Sequence, residues 1–149
     1  MSAEEYEIAV EITCTNLPGS TWDERGPIHL GIQKGDEIED AQSADLERIK
    51  FSSTLRVRRH TDGSANFLGP YVHGPRTGRF IYLVWAVIHG KTPIAMAGRV
   101  KILLNHIGWN DVERAAANGR SIKVTIPLTD KKGRPVFASV RPDQARWHL

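Results

Sequence analysis

Cysteine is almost missing from this chain. Cys14 is the single one in 149 residues, so no internal disulfide can form. Long hydrophobic runs are missing too: the longest, Phe80–Ile88, has nine residues, against the roughly 20 needed to span a bilayer. The opening Met1-Ser2-Ala3-Glu4-Glu5-Tyr6-Glu7 is acidic and lacks the apolar stretch of a secretory leader. Together these absences lead to the expectation of a cytoplasmic protein with no membrane contact. The six histidines (His29, His60, His73, His89, His106 and His148) show neither H-x-H nor H-E-x-x-H spacing, so no metal site is expected. No G-x-S-x-G occurs. The spacing Gly74-x-x-x-Gly78 lacks the lysine and hydroxyl residue of a phosphate-binding P-loop. Internal repeats, low-complexity tracts and linkers are absent as well. The sequence thus points away from an enzyme and calls for no cofactor.

What is present is ordinary for one globular domain spanning residues 1–149: 40% hydrophobic and 25% charged residues, with a net charge of +3. A chain of this length buries a full core without disulfides or metals. The charge is unevenly placed. Residues 1–50 carry 12 acidic and 4 basic side chains, which leaves 5 and 16 for residues 51–149, or −8 against +11. Such a split suits either neutralisation between surfaces of one or two copies of the chain or a basic face for an anionic partner. Nucleic acid is disfavoured, because the basic residues are spread along the sequence without interleaved aromatics.

Period-two alternation dominates the pattern, which is the signature of strands with one buried face. Ile8, Val10, Ile12 and Cys14 alternate with Glu7, Ala9, Glu11 and Thr13. This places Cys14 among core residues rather than in a nucleophile's setting. Ile28, Leu30 and Ile32 form a second such set. Phe51, Ser53, Leu55 and Val57 form a third, whose outward Arg56 and Arg58 suit an exposed sheet edge or an anion site. The acidic segment from Asp36 to Glu47 is poor in large apolar residues and predicts a solvated loop or weak helical turn; its carboxylates lack the spacing of an EF-hand loop. Phe80–Ile88 is apolar on both faces and predicts a central strand buried on both sides, with Tyr82 and Trp85 on opposite faces. His89-Gly90-Lys91-Thr92-Pro93 reads as a hairpin connection to Ile94–Leu104, where Met96, Val100, Ile102 and Leu104 share a face. Gly98 marks a bulge or a close backbone approach there, and residues 101–107 fit strand or helix.

One helix near 110–118 follows from Asn110 as cap, Glu113 completing an N-x-x-E box, three alanines, and Asn118-Gly119 as stop. Ile122–Leu128, the turn Asp130–Gly133 and the return Val136–Val140 read as a hairpin closed by Arg141-Pro142, with a polar tail containing Trp147. The fold class expected is mainly β: an antiparallel sandwich or partly closed barrel of about seven strands with one short helix.

The loop from Gly69 to Arg79 draws the functional reading. It joins the most buried strand and holds Tyr71, His73, Arg76 and Arg79 among glycines and prolines. Arginines offer forked donors to a carboxylate or phosphate, histidine titrates near neutrality, and glycines permit close backbone approach. With Arg56 and Arg58 as neighbours, these residues would bind an anionic small molecule; the alternative is a rigid structural loop in a protein-interaction module, a homodimer included.

The runs Ile12–Gly19, Phe67–Arg76, Arg79–Trp85 and Leu128–Asp130 through Arg141-Pro142 resemble those of a family of small uncharacterised bacterial proteins, a domain of unknown function, over nearly the whole chain. The resemblance implies a bacterial cytoplasmic protein and carries no catalytic residues.

Overall fold

A computed structural model describes residues 4–137, 139, 140 and 145–149. The elements run β1 (Glu5–Thr15), β2 (His29–Lys34), β3 (Glu37–Ser43), β4 (Ile49–Arg59), β5 (Ala65–Leu68), β6 (Phe80–His89), β7 (Thr92–Leu103), α1 (Trp109–Ala117), β8 (Ser121–Pro127), β9 (Ser139–Val140) and β10 (Arg146–His148). They form two five-stranded sheets, sheet A in the order β10-β8-β1-β4-β5 and sheet B in the order β3-β2-β6-β7-β9. Pairing is antiparallel except for β1 with β8 and β7 with β9. The result is a β-sandwich.

Alternation explains the layers. Ile8, Val10, Ile12 and Cys14 of β1, Phe51, Leu55 and Val57 of β4, and Ile122, Val124 and Ile126 of β8 turn one face of sheet A inward. Leu30 and Ile32 of β2, Ile81, Leu83 and Trp85 of β6, and Val100 and Ile102 of β7 meet them from sheet B. Trp85 is the largest fully buried side chain, and its indole N–H donates to the Val136 carbonyl at 3.0 Å. β6 is the middle strand of sheet B, and its outward Val84 and Ala86 are also fully buried, in a second small cluster with Ile38 under Tyr82 and Ile88. Tyr82 itself is only half-buried, so the expectation that it shares Trp85's burial is corrected: it forms the cover of that cluster.

Several other expectations change. The acidic segment from Asp36 is an edge strand, β3, anchored by Ile38 at 1% exposure, and charge on an edge discourages pairing with other chains. β4, whose outward Arg56 and Arg58 suit either an exposed edge or an anion site, lies between β1 and β5 and is not an edge. Met96 does not share the face of Val100 and Ile102. A slip in the β6–β7 register between Trp85 and Ala86, beside Gly98 as expected, reverses the parity and leaves Met96 exposed; a second slip, between Val87 and Ile88, lies nearer the turn. The strand reading of 101–107 holds as far as Leu103, after which a turn buries Leu104 and Ile107.

α1 begins one residue earlier than expected and uses a different cap. Gly108 precedes it, and the Asp111 carboxylate reaches back to accept from the Gly108 N–H at 3.0 Å, so neither Asn110 nor Glu113 closes the box. Trp109, Val112 and Ala115 face the core, with Trp109 5.7 Å from the Tyr6 ring. Gly119 at φ 93° ends the helix as predicted.

The C-terminal hairpin starts as expected, with the Val136 N–H donating to Leu128 at 3.0 Å around the Asp130–Gly133 turn. Its return then leaves sheet A: β9 pairs with β7 in sheet B instead. Arg141-Pro142 lies outside the described residues. The tail is not free, because β10 pairs with β8 and Trp147 packs edge-on to His106 at 4.6 Å.

Candidate functional site

The loop after β5 carries the chain from the edge of sheet A to the centre of sheet B, and its geometry is set by backbone bonds. His73 and Phe80 exchange N–H···O bonds of 2.9 and 3.1 Å, which closes the segment between them around a short 3-10 turn at Arg76–Gly78. Gly74 sits at φ 85°, where a Cβ would lie 2.5 Å from the Gly78 carbonyl oxygen and 2.6 Å from the Phe80 ring. Only glycine fits there.

The six residues expected to form an anion site do not converge. Tyr71 Oη donates to Glu39 Oε2 at 2.6 Å. This bond holds the Glu39 carboxyl below its usual range, with Lys34 and Lys91 adding to the effect, and pushes the Tyr71 phenol up to about 12. His73 Nε2 lies 3.3 Å from the Gln33 carbonyl oxygen. Tyr71 and His73 thus fasten the loop to β3 and β2. Arg76 donates to Asp62 at 3.3 Å, and Asp62, bonded first to Ser64, has its pKa lowered to about 2. Arg79 donates to the Gly74 carbonyl at 2.9 Å and to Asn66 at 3.4 Å. Arg56 and Arg58 project from the outer face of sheet A, where Arg58 donates to Glu5 at 3.2 Å. Four of the six therefore bond within the loop or to neighbouring backbone and side chains, while Arg56 and Arg58 stand on the outer face of sheet A, Arg58 opposite the Asn66 that accepts from Arg79.

A different constellation appears on the outer face of sheet B. Phe80 and Tyr82 alternate with the buried Ile81 and Leu83, so both project outward, with ring centroids 4.7 Å apart. His73 joins them at 6.0 Å from Phe80 and 5.5 Å from Tyr82. On β7, Lys101 Nζ lies 4.3 Å from the centre of the Phe80 ring, and the Arg99 guanidinium lies 4.9 Å from that of Tyr82. Arg99 Nε donates to the Met96 sulfur, and no ion pair among the described residues involves Arg99 or Lys101. In sequence these cations sit far from the rings, which hides the grouping. A signal existed: the tight Gly90-Lys91 turn pairs His89 with Thr92, and an unslipped ladder would set Tyr82 opposite Arg99. The two slips set it opposite Lys101 instead. Either register puts a cation beside the ring.

A family model described as "Family of unknown function (DUF5990)" matches residues 8–149. The chain belongs to this family. No curated protein and no solved structure matches it.

Other reactive groups of this DUF5990 chain sit in structural settings. Cys14 is fully buried, and burial pushes its thiol up to about 12, which keeps it protonated. Asp45 accepts from the Ser20 N–H and hydroxyl at 2.8 and 2.7 Å, which pins the turn before β2. Among the described residues, no three His, Cys, Asp or Glu side chains gather as metal ligands would, and no helix is long and apolar enough to cross a membrane. A depression of about 360 Å³ lies on the outer face of sheet A, lined by Glu11, Thr13, Lys50, Ser52, Lys123 and His148.

Proposed function

We propose that this DUF5990 domain is a non-catalytic binding module that takes an anionic partner on the outer face of sheet B, around His73, Phe80, Tyr82, Arg99 and Lys101. The observation that carries this reading is the pair of cations resting on aromatic rings. Both rings are half-buried, so each cation gains between about 0.5 and 2 kcal/mol there, which an incoming carboxylate or phosphate must exceed to draw Arg99 or Lys101 away. The 69–79 loop serves this surface by fixing His73 beside Phe80; Arg76 and Arg79 hold the loop together. The setting we assign is the bacterial cytoplasm, on the family resemblance and the lone buried thiol.

Retention on a heparin resin tests it. The wild-type domain is expected to bind at about 50 mM salt, where phosphate- and sulfate-type contacts are strong. Arg99→Glu with Lys101→Glu should abolish retention, whereas Lys50→Glu with Lys123→Glu, equal in charge but on the outer face of sheet A, should leave most of it. Equal loss in both pairs would reduce the effect to net charge and overturn the reading.

A second reading, a homodimer, draws on Ile94 and Met96, which are 57% and 38% exposed on the half of β7 that β9 does not cover. Light scattering at tens of micromolar showing a dimer that Ile94→Asp converts to monomer would establish it; a monomer from the start would remove it.

A further inference from the structure

We infer that the partner on the outer face of sheet B is single-stranded nucleic acid, a proposal that rests on the binding-module reading and narrows it to one ligand chemistry. Three features of the face select this occupant. The first is the cluster of rings: His73, Phe80 and Tyr82 lie with all three centroid distances between 4.7 and 6.0 Å, and unpaired bases have π-faces that stack on such side chains without needing a particular sequence. The second is where the charge lies. Lys101 and Arg99 rest over the rings from β7 with neutral partners only, so each can swing to a phosphate and leave the ring face beneath it to a base. The third is shape. The rings stand on an open sheet face, and a small anion would have too little of its surface covered to be held well, since small-ligand sites are concave and enclose most of the ligand. An extended strand gains affinity by crossing several such contacts.

The same features disfavour competitors. A second copy placed face to face would bring two Arg99 and two Lys101 side chains together. A duplex keeps its bases paired and stacked and cannot offer them to the rings.

The test is fluorescence anisotropy with a labelled 12-residue oligothymidine, the matching duplex, and inorganic polyphosphate as competitor. The single strand is expected to bind most tightly. Tyr82→Leu preserves apolar cover over Val84 and Ala86, and it should weaken single-strand binding by about tenfold, the low end of base–aromatic stacking. Arg99→Gln with Lys101→Gln should flatten the salt dependence by a log–log slope of roughly 1.4, the share of two phosphate contacts on a single strand. Ultraviolet cross-linking should mark the tryptic peptide 80–91, which places the strand on β6. A thermal melt checks that each variant is folded, and should Tyr82→Leu not fold, the salt slope of the glutamine pair and the cross-linked peptide decide. If polyphosphate competes as well per charge as the oligonucleotide and folded Tyr82→Leu binds like wild type, the nucleic-acid inference falls while the anionic-partner reading stands. A duplex bound more tightly than the single strand overturns it as well. If heparin retention and oligonucleotide binding both ignore Arg99 and Lys101, both readings fall together.

Discussion

On the outer face of sheet A, Lys123 lies 3.9 Å from Glu11 and Arg58 3.2 Å from Glu5, with hydroxyl residues such as Thr13, Ser52 and Thr125 between such charges. On the outer face of sheet B, cations lie on aromatic rings, and below them Val84, Ala86 and Ile38 are removed from water. One period-two rule builds both faces. What differs is what the outward positions hold: on one side carboxylates that pair with Arg58 and Lys123, though not with Lys50 or Arg56, and on the other rings and aliphatics beside Arg99 and Lys101. Screened surface pairs contribute little to stability, so the first face is a solvated coat. The second face has an inner apolar layer of its own and a charge still to be met.

The sharpest way to break this contrast is to put the same charge on both faces. Val84→Asp buries an unpaired carboxylate in the small outer cluster at a cost of several kcal/mol, comparable to the whole stability of a domain, and soluble expression should fail. Thr54→Asp, outward on β4 of sheet A, should change urea-unfolding stability by no more than about 0.5 kcal/mol.

A second comparison sits within the loops. Gly74 and Gly63 both have positive φ, 85° in each case, yet nothing stands within 4 Å of a Cβ at Gly63. Alanine at either position pays for the backbone conformation; at Gly74 it also meets Gly78 and the Phe80 ring. Chemical denaturation should show Gly74→Ala to be the more destabilising by about 1–3 kcal/mol, and binding to heparin should weaken with it because His73 and Phe80 are displaced.

Tyr71→Phe removes a hydrogen bond to an ionised carboxylate. Bonds of that kind contribute about 1.5–3 kcal/mol, and partial exposure of the pair argues for the lower end. Stability should drop by that amount while heparin retention stays unchanged, which separates the loop's bracing role from the proposed binding face.

The smallest effect concerns pH. Burial lowers the pKa of His106, whose ring packs against Trp147 of β10. The unfolded chain therefore takes up this proton at its ordinary value near 6.5, before the folded one does. Stability from this group is complete above that pH and declines as pH falls through 6.5 towards the lower folded pKa. Urea midpoints at pH 7.5 and 5.5 should differ less in His106→Gln than in wild type. An equal difference would place the pH dependence elsewhere.

Much of the fold was legible because alternation is a local property. Ile8 to Cys14, Phe51 to Val57 and Ile122 to Ile126 declare their inward faces without reference to any partner, and the unbroken run Phe80–Ile88 declares a central strand. β3 was not legible, since an edge strand needs only one buried anchor, Ile38, and its remaining positions look like solvated loop. β9 and β10 are too short to carry a pattern. The loop's residue types suggested a ligand, but residue type does not reveal that Glu39, Gln33, Asp62 and Asn66 arrive from elsewhere to occupy Tyr71, His73, Arg76 and Arg79. The aromatic–cation grouping depends on register across β6 and β7, and register is a property of two strands rather than one.

β1 stands between β4 and β8, and its parallel ladder with β8 begins at Ala9 with Ser121, more than a hundred residues further along the chain. A chain growing from its N-terminus can zip β1 to β4 early, but it must hold the other edge of β1 open until β8, more than a hundred residues later, has been made. Distant pairing of this kind slows folding, to the millisecond-to-second range for all-β domains. Until then the protein carries an unpaired, half-apolar strand edge, and its exposure to misassembly is set by the arrival of β8.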